Sequence, residues 1–352
     1  MPAPLLISGR PVGPGHPVHV IAEAGVNHDG DPARALLLID AAADAGADCV
    51  KFQTFKAERV AVASAPKAAY QLETTDPAES QVAMLRRLEL ADDALPGLVA
   101  HGRARGIAVI STPYNEEDVD LLDSLGVAAF KLASIHLAEP HFLAYAARKG
   151  RPLIVSCGMA TLAEIDRGLA AIRDAGDPPV VLLQCTTNYP SDPAEANLRT
   201  IPALAAAFGV PVGYSDHTTS DSACLAAVAL GAVVIEKHLT LDRSLPGPDH
   251  AASQDPAGFK GLVRGIREVE AALGDGIKRP TPSELRNKPN MRRSLVARCA
   301  IEAGQRIEPE LLTCRRPASG LAPALVGELR AFVAARPIAA GEMLAWSMLR
   351  PR

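Results

Sequence analysis

The chain has 352 residues, more than one hydrophobic core usually holds, so its length suggests two domains or one large barrel with an appendage. Apolar residues make up 48% of the sequence and charged residues 22%, a composition typical of globular proteins and not of disordered ones. The net charge of −4 argues against a dedicated nucleic-acid binder, which would carry a basic surplus.

Membrane and secretion signals are lacking in the sequence. No apolar run reaches the ~18 residues that a membrane span requires, and the start, Met1–Pro4, has neither the basic nor the apolar region of a signal peptide. The six cysteines lie far apart and none forms a CxxC pair, so buried free thiols in a reducing compartment are the simplest interpretation. We therefore expect a cytoplasmic protein that binds neither membranes nor nucleic acid.

Short apolar runs alternate with amphipathic, Ala- and Leu-rich stretches, as in a parallel sheet built from βα units. The runs predict eight strands: Val18–Glu23, Cys49–Gln53, Ile107–Ser111, Ala128–Leu132, Leu153–Ser156, Val180–Gln184, Val210–Gly213 and Val233–Lys237. The amphipathic stretches predict eight helices: Pro32–Ala45, Asp93–Arg105, Glu116–Leu125, Pro140–Lys149, Leu162–Ala175, Leu198–Ala207, Asp221–Leu230 and Pro256–Leu273. This number and order of elements predict an α/β fold, a (β/α)8 TIM barrel.

An open, doubly wound sheet is the alternative architecture. It would require a glycine-rich phosphate-binding motif after the first strand. The sequence there, Ala24-Gly25-Val26-Asn27, does not supply one.

The alternation of predicted strands and helices ends near residue 275. We therefore assign residues 1–275 to the catalytic barrel. Residues 276–292 are rich in proline and basic side chains and predict a linker. Residues 293–352 contain β-like runs at Ser294–Ala297 and Phe332–Ala334, so we expect a small, mostly β second domain.

Polar residues at the carboxyl ends of barrel strands are catalytic candidates, because the active sites of TIM barrels lie at that face. Almost every predicted strand ends in such residues: Glu23, Lys51, Gln53, Ser111, Thr112, Lys131, Ser134, Ser156, Thr187, Asn188, Ser215, Asp216, His217, Glu236, Lys237 and His238. One polar strand end would mean little, but a full ring predicts an active site at the mouth of a closed barrel.

Two chemistries stand out within this ring. Lys51 and Lys131, together with several hydroxyl groups, suit a phosphorylated or carboxylated substrate, although either lysine alone would be read as a salt-bridged residue. His217 and His238 follow neighbouring strands, so their imidazoles can reach one divalent ion. Spacing alone leaves open that both histidines are structural.

A series of ordered motifs carries a family resemblance. They are Ile21–Asp31, Lys51–Phe55, Ser111–Pro113, Ser156–Thr161, Gly213–Thr218, Glu236–Asp242 and Gly247–His250. Together they closely resemble the sialic acid synthase family, whose members condense phosphoenolpyruvate with an N-acetylated hexose and release phosphate. The tail, with Arg315-Arg316-Pro317 and Gly320, looks like that family's small antifreeze-like (SAF) domain.

The resemblance implies a role for each matching residue. Glu23, His217 and His238 would be catalytic, and the two histidines would hold a divalent ion, manganese or alternatively magnesium. The residues that match phosphoenolpyruvate-binding positions are Lys51, Lys131, Ser134, Ser156, Thr187, Asn188 and Ser215. The implied sugar contacts are Gln53, Thr112, Tyr189, Asp249 and Arg316.

Finer motifs favour one product. Lys51–Phe55 carries Phe52 where neuraminate synthases often carry His, and it is similar to the legionaminate synthases, as is Ala68–Thr75 followed by Glu79-Ser80-Gln81. We therefore expect N,N′-diacetyllegionaminate as the product, with neuraminate or pseudaminate as alternatives. Phe52 and Phe55 predict a less polar sugar site and a preference for a 6-deoxy acceptor.

Two positions depart from the family pattern. His136 stands where the family usually has a sugar-facing Glu, which leaves the choice of acceptor open. Thr187 stands at the family's phosphate-side Asn, with Asn188 one residue later.

The resemblance also implies a domain-swapped homodimer, in which Arg316 of the small domain closes the barrel of the other chain. Without the resemblance, Arg316 would be read as a surface residue beside a proline. The partners are then phosphoenolpyruvate, the sugar and a second copy of the chain.

Two rival functions remain at this stage. A Schiff-base aldolase could use Lys51, Lys131 or Lys237 as its nucleophile. An inactive barrel could serve as a carbohydrate-binding module, although the intact set of Glu23, His217 and His238 argues against it.

Overall fold

The structure is a computed structural model that describes residues 5–352. The start of the chain, Met1–Pro4, on which the absence of a signal peptide was predicted, lies outside the described residues. The chain divides into two compact units, one ending at Gly274 and the other covering Asp275–Arg352. Among the described residues, no helix combines the length and apolarity that a membrane crossing needs.

The first unit contains a closed barrel of eight parallel strands, which confirms the predicted fold and excludes the open sheet. A short antiparallel hairpin, β1 (Leu5–Ile7) and β2 (Arg10–Val12), precedes it. The barrel strands are β3 (His19–Gly25), β4 (Cys49–Thr54), β5 (Ala108–Pro113), β6 (Phe130–Leu132), β7 (Leu153–Ser156), β8 (Val180–Cys185), β9 (Val212–Asp216) and β10 (Val234–His238). Strand β10 pairs with both β9 and β3, and this pairing closes the ring.

The chain forms twelve α-helices in its described part: α1 (Pro32–Ala45), α2 (Ala57–Val60), α3 (Ala69–Thr74), α4 (Gln81–Arg87), α5 (Leu95–Ala104), α6 (Glu116–Ser124), α7 (Pro140–Ala147), α8 (Leu162–Ala175), α9 (Thr200–Phe208), α10 (Ser222–Ala229), α11 (Pro256–Leu273) and α12 (Pro282–Met291). The bounds of α1 agree with the sequence prediction because both ends are capped. Asp31 accepts from the backbone of Ala33, Pro32 occupies the first turn, and Gly46 ends the helix in the left-handed conformation.

Strand alternation decides which residues face the barrel interior. In β4 the side chains of Lys51 and Gln53 point inward, whereas Val50 and Phe52 pack between the barrel and its helices. The expectation that Phe52 contributes to the sugar site is therefore wrong. Side chains alternate along a strand, and that of Phe52 points away from the barrel interior. Phe55, beyond the strand, lines a cavity at the mouth.

Helices α2, α3 and α4 lie between β4 and α5 and were not predicted. We call residues 55–91 the β4–α5 insertion. Its longest loop is held by Lys67, whose Nζ donates to Thr75 Oγ1 at 2.9 Å and to the carbonyl oxygen of Asp76 at 2.8 Å. The insertion packs a small apolar cluster, Val26, Phe55, Met84 and Leu88, beside the mouth of the barrel.

The second unit is small and mostly β. It contains two antiparallel pairs, β11 (Ser294–Ala297) with β12 (Leu312–Arg315) and β13 (Phe332–Ala334) with β14 (Leu349–Pro351). These strands share one apolar core that includes Leu295, Ile301, Ile307, Leu329 and Leu344.

The segment predicted as a linker contains a helix. Helix α12 begins at a capping box, in which Thr281 accepts from the backbone of Glu284 and the Glu284 carboxylate accepts from the backbone of Thr281. Pro282 occupies its first turn, where a proline needs no hydrogen-bond donor. Residues 282–291 of the predicted linker are therefore helical.

Acid sensitivity should arise at the amino end of the barrel. Burial lowers the pKa of His19 to about 4, against the opposing effect of Asp48. As pH falls from about 6.5 to 4, the unfolded chain binds a proton at His19 that the folded chain does not, so His19 should contribute a loss of up to about 3 kcal/mol of unfolding free energy. Urea unfolding at several pH values should show a loss that is smaller by this amount in His19→Gln than in the unaltered protein. The same slope in His19→Gln would contradict the assignment to His19.

Candidate active site

Two adjoining cavities open at the carboxyl ends of the barrel strands, both within the first unit. The inner cavity is lined by Glu23, Lys51, Thr112, Lys131, Ser134, Ser156, Cys185, Ser215, His217 and Glu236. The outer cavity, which is open to solvent, is lined mainly by the β4–α5 insertion and by Pro248 and Asp249. Four residues border both cavities: Gln53, Tyr114, Tyr189 and His238.

A chain of alternating charges occupies the floor of the inner cavity. Lys51 Nζ lies 3.0 Å from Glu23 Oε2 and 3.4 Å from Glu236 Oε1, and it donates to Thr112 Oγ1 at 3.2 Å. Burial raises the pKa of Glu23 to about 7, although Lys51 opposes the shift. Burial alone would lower the pKa of Lys51, but Glu23 and Glu236 raise it above its usual value. Lys51 is therefore a fixed cation, and Glu23 can exchange protons near neutral pH.

The second lysine is surrounded by hydroxyl groups. Lys131 Nζ donates to Ser156 Oγ at 2.7 Å and lies 3.7 Å from Glu236 Oε1. Ser215 Oγ donates to the same Glu236 oxygen at 3.0 Å. Both lysines and these hydroxyls thus surround one carboxylate, and an anionic ligand would find donors on several sides.

Near these donors, the backbone at Gly158 comes close to three side chains. Ser134 Oγ accepts from the Gly158 backbone at 3.0 Å. A Cβ at position 158 would lie 2.5 Å from Thr187 Oγ1 and 2.8 Å from Cys185 Sγ. A side chain at position 158 would therefore displace the Thr187, Cys185 and Ser134 side chains.

The two predicted metal ligands are brought together as neutral imidazoles. The rings of His217 and His238 lie 5.4 Å apart, centre to centre. Burial lowers the pKa of His217 to about 4, and burial with the neighbouring His217 lowers the pKa of His238 well below its usual range.

The free nitrogens of this pair suit a divalent ion. His217 Nδ1 donates to the carbonyl oxygen of Thr186 at 2.7 Å, which leaves its Nε2 with a lone pair. His238 Nδ1 is buried and has no hydrogen-bond partner within residues 5–352. Over those residues, no group of three or more Cys, His, Asp and Glu side chains forms a metal cluster, so an ion here would have two protein ligands and open positions.

The predicted sugar contacts line the boundary between the two cavities. Gln53 donates to Glu23 Oε1 at 3.4 Å and accepts from the Tyr114 hydroxyl at 3.2 Å. The Tyr189 ring packs 4.1 Å from the His217 ring. Asp249 Oδ2 lies 3.8 Å from His238 Nδ1, and burial raises the pKa of Asp249 to about 6.

Four residues singled out in the sequence lie elsewhere. Thr187 and Asn188 are exposed and line neither cavity. His136 is buried against Phe142 and pairs with Glu139 at 2.9 Å, so it does not face the cavities. Arg316 is exposed in the second unit, where its Nε donates to the carbonyl oxygen of Met291 at 3.1 Å. Thr112, predicted to contact the sugar, lies beside Lys51 in the inner cavity.

The family resemblance assigned no specific role to Glu236, Tyr70 or Tyr114, which the structure places at the site. Glu236 lies within ion-pair distance of both Lys51 and Lys131. Its position at a strand end was the sequence feature that could have indicated this role. Tyr70 and Tyr114 line the outer cavity, and no strand-end pattern could have found Tyr70. Lys237 points away from the cavities and pairs with Asp216 at 2.5 Å, while donating to the carbonyl oxygens of Thr218 and Ser220.

A TIM barrel whose mouth holds two buried lysines, a ring of hydroxyls and two neutral imidazoles defines an enzyme that handles an anionic substrate. The NeuB family model matches residues 38–278, and the SAF domain model matches residues 292–350. The chain belongs to the NeuB family and carries a SAF domain, which confirms the predicted resemblance.

Relatives are similar over most of the chain. An N,N′-diacetyllegionaminic acid synthase of Campylobacter jejuni is 46% identical over 304 residues, 86% of this chain and 91% of that protein. One from Legionella pneumophila is 40% identical over 341 residues, 96% of each chain. The crystal structure of an N-acetylneuraminic acid synthetase from Leptospira borgpetersenii, in complex with citrate, has a TM-score of 0.72 and 32% identity, covering 81% of this chain and 94% of that one.

Proposed function

We propose that this chain is a nonulosonic acid synthase that condenses phosphoenolpyruvate with an N-acetylated hexose, releases phosphate and forms N,N′-diacetyllegionaminate. The observation that carries the proposal is the inner cavity, where Lys51, Lys131 and a ring of hydroxyls adjoin the imidazoles of His217 and His238. Two relatives with 40% and 46% identity are N,N′-diacetyllegionaminic acid synthases, and this supports the choice of product.

Phosphoenolpyruvate binding follows from the charges of the inner cavity. Its phosphate and carboxylate would accept from Lys131, Ser134, Ser156 and Ser215, and Lys51 would offset the remaining charge. Binding of both anionic groups fixes the C3 carbon of phosphoenolpyruvate relative to the boundary with the outer cavity. Holding it there beside the sugar aldehyde makes an otherwise bimolecular step effectively intramolecular.

The reaction forms one carbon–carbon bond and breaks one carbon–oxygen bond. C3 of phosphoenolpyruvate attacks the aldehyde carbon of the open-chain hexose, and water adds to C2. The tetrahedral intermediate then collapses to the ketone and expels phosphate. Glu23, in the inner cavity beside Gln53, serves as the proton-transfer group, because its pKa of about 7 lets it give or take a proton at neutral pH.

We further propose that His217 and His238 hold a divalent cation, manganese or magnesium. The unpartnered Nδ1 of His238 and the free Nε2 of His217 are the donors for it. When bound, the cation supplies Lewis-acid polarisation of the sugar carbonyl.

Removal of this ligand pair should abolish metal binding and most of the activity. His217→Ala should lower kcat by at least about 10²-fold, since Lewis-acid polarisation contributes several kcal/mol at the transition state. Calorimetric titration with Mn²⁺ should show binding to the unaltered protein and none to His217→Ala. Full activity in both the chelated protein and His217→Ala would contradict the metal site.

The oligomeric state is a proposal as well. We propose a domain-swapped homodimer, in which Arg316 of one chain would complete the sugar site of its partner. Light scattering should then give twice the chain mass of 36.8 kDa, and a monomer that is fully active would contradict it.

A cytoplasmic location is a further proposal, and it accords with the free, buried thiols of Cys49, Cys157, Cys185 and Cys224.

The direct test is phosphate release from phosphoenolpyruvate with a panel of N-acetylated hexoses. We expect release to require the hexose and to be faster with a 6-deoxy 2,4-diacetamido hexose than with N-acetylmannosamine. Equal or reversed kcat/KM values would favour the neuraminate alternative instead.

A Schiff-base aldolase is the rival that the same protein can test. Lys237 is committed to Asp216, whereas burial lowers the pKa of Lys131, so Lys131 is the amine to examine. Borohydride reduction in the presence of pyruvate should leave the protein mass unchanged. A trapped adduct would contradict the synthase mechanism.

A further inference from the structure

The outer cavity contains a glutamine side chain whose carbonyl oxygen no protein group uses. Two of the three glutamines lining the cavity have hydrogen bonds within the chain. Gln53 pairs with Glu23 and Tyr114. Gln71 accepts from the backbone of Ala68 at 3.0 Å and donates to the Tyr70 hydroxyl at 3.4 Å.

Gln81 differs from both. Its Oε1 is buried and has no hydrogen-bond partner in residues 5–352. A buried, unpaired amide oxygen lowers stability, so such groups in folded proteins call for a specific explanation. Gln81 begins α4, whose N-cap Ser80 accepts from the backbone of Ala83 at 3.1 Å. The cap fixes the backbone at this position, so the Gln81 side chain starts from a defined place on the cavity lining.

Gln81 shares one face of α4 with Met84 and Leu88, which lie three and seven residues further along the chain. Met84 and Leu88 form a buried apolar cluster with Val26 and Phe55, and all four line the outer cavity together with polar residues. A few precisely placed polar groups determine orientation and specificity in small-molecule sites. Gln81 is therefore placed to pair with a polar group of a ligand whose neighbouring part contacts the apolar cluster.

The position of the cavity identifies the part of the ligand involved. The outer cavity shares Gln53, Tyr114, Tyr189 and His238 with the inner one. An acceptor sugar whose aldehyde lies beside His238 and Glu23 must extend its remaining carbons into the outer cavity. The wall of the β4–α5 insertion then faces the substituents far from the reacting carbon.

We propose that Gln81 is a specificity-determining residue, which pairs with a second acetamido group on the acceptor. This inference rests on the proposed function and deepens it. A carboxamide offers one acceptor and two donors, and an acetamido group offers one donor and one acceptor, so the two can form paired hydrogen bonds. The apolar cluster of Val26, Phe55, Met84 and Leu88 would contact the deoxy carbon, C6, which lies two bonds from C4.

The test compares two acceptors that differ at one position: a 6-deoxy 2,4-diacetamido hexose and its analogue with a hydroxyl at C4. Gln81→Met keeps the length of the side chain but removes its donors and acceptor. It should lower kcat/KM for the diacetamido acceptor by about ten-fold and change that for the hydroxyl analogue by less than about two-fold. The KM for phosphoenolpyruvate should not change.

Two further variants serve as checks. Gln81→Leu should reproduce the effect, so a misfolded Gln81→Met would not end the test. Arg86→Ala removes an exposed side chain of the same helix, paired with Glu58, and should alter neither acceptor. Thermal unfolding of each variant reports on folding.

The outcomes separate the two proposals. An equal loss for both acceptors, or no loss, would overturn the assignment of Gln81 while leaving the synthase activity in place. Failure of the unaltered protein to release phosphate with either acceptor would overturn the proposed function, and the assignment of Gln81 with it.

Discussion

Replacing Glu23 by Gln should lower kcat by about 10³-fold while leaving the fold and phosphoenolpyruvate binding intact, because a positioned proton-transfer group contributes 10²- to 10⁴-fold. The substitution is close to isosteric and keeps an oxygen near Lys51 Nζ, which lies 3.0 Å from Glu23 Oε2. It removes the ability to exchange a proton and the charge of the ionised carboxylate, while Glu236 remains paired with Lys51 at 3.4 Å. Steady-state phosphate release and a fluorescence titration with phosphoenolpyruvate would measure the two effects separately.

The matched control for Glu23 is an exposed carboxylate. Glu268 pairs with Arg264 at 3.7 Å on the surface of α11, so Glu268→Gln should retain full turnover. A Glu23→Gln protein with the unaltered rate would show that Glu23 has a structural role only.

The second large effect concerns stability. Lys237 and Asp216 form a buried ion pair at 2.5 Å, with side chains exposed by 1% and 0%. Lys237→Met would leave the Asp216 carboxylate buried without its cation and should cost about 3–5 kcal/mol of unfolding free energy. Urea unfolding, followed by circular dichroism, would measure the loss.

An exposed ion pair provides the comparison. Lys149 pairs with Asp120 at 2.6 Å on the surface, and Lys149→Met should cost less than about 1 kcal/mol. Similar losses in Lys149→Met and Lys237→Met would mean that the buried pair contributes no more than a surface pair does.

Many of the barrel's strands and helices could be predicted, because the pattern of apolar residues that identifies each one lies within its own segment. The strand β7 and the helices α1, α8 and α11 have the predicted bounds, since apolar runs and caps lie within the segments themselves. The polar side chains at the barrel mouth followed from a general rule about strand ends. That rule needs no knowledge of which strand lies beside which.

The outer cavity could not be predicted, because it depends on contacts distant in sequence. Helices α2 and α3 have only four and six residues, too few for a periodic signal. Tyr70 reaches the site by packing its ring 5.1 Å from the Tyr189 ring, a contact between segments over a hundred residues apart. The Lys51 side chain points into the barrel and the Phe52 side chain points away from it. These directions depend on how the strands pair, which a motif does not give.

The most direct test of the synthase is one reaction followed by mass spectrometry. Purified protein would be incubated with Mn²⁺, a 6-deoxy 2,4-diacetamido hexose, and phosphoenolpyruvate labelled with ¹⁸O in the oxygen between C2 and phosphorus. The account predicts one nine-carbon keto acid for each phosphate released, with the label entirely in the phosphate because the carbon–oxygen bond breaks. Formation of pyruvate with the hexose unchanged, or unlabelled phosphate, would contradict it.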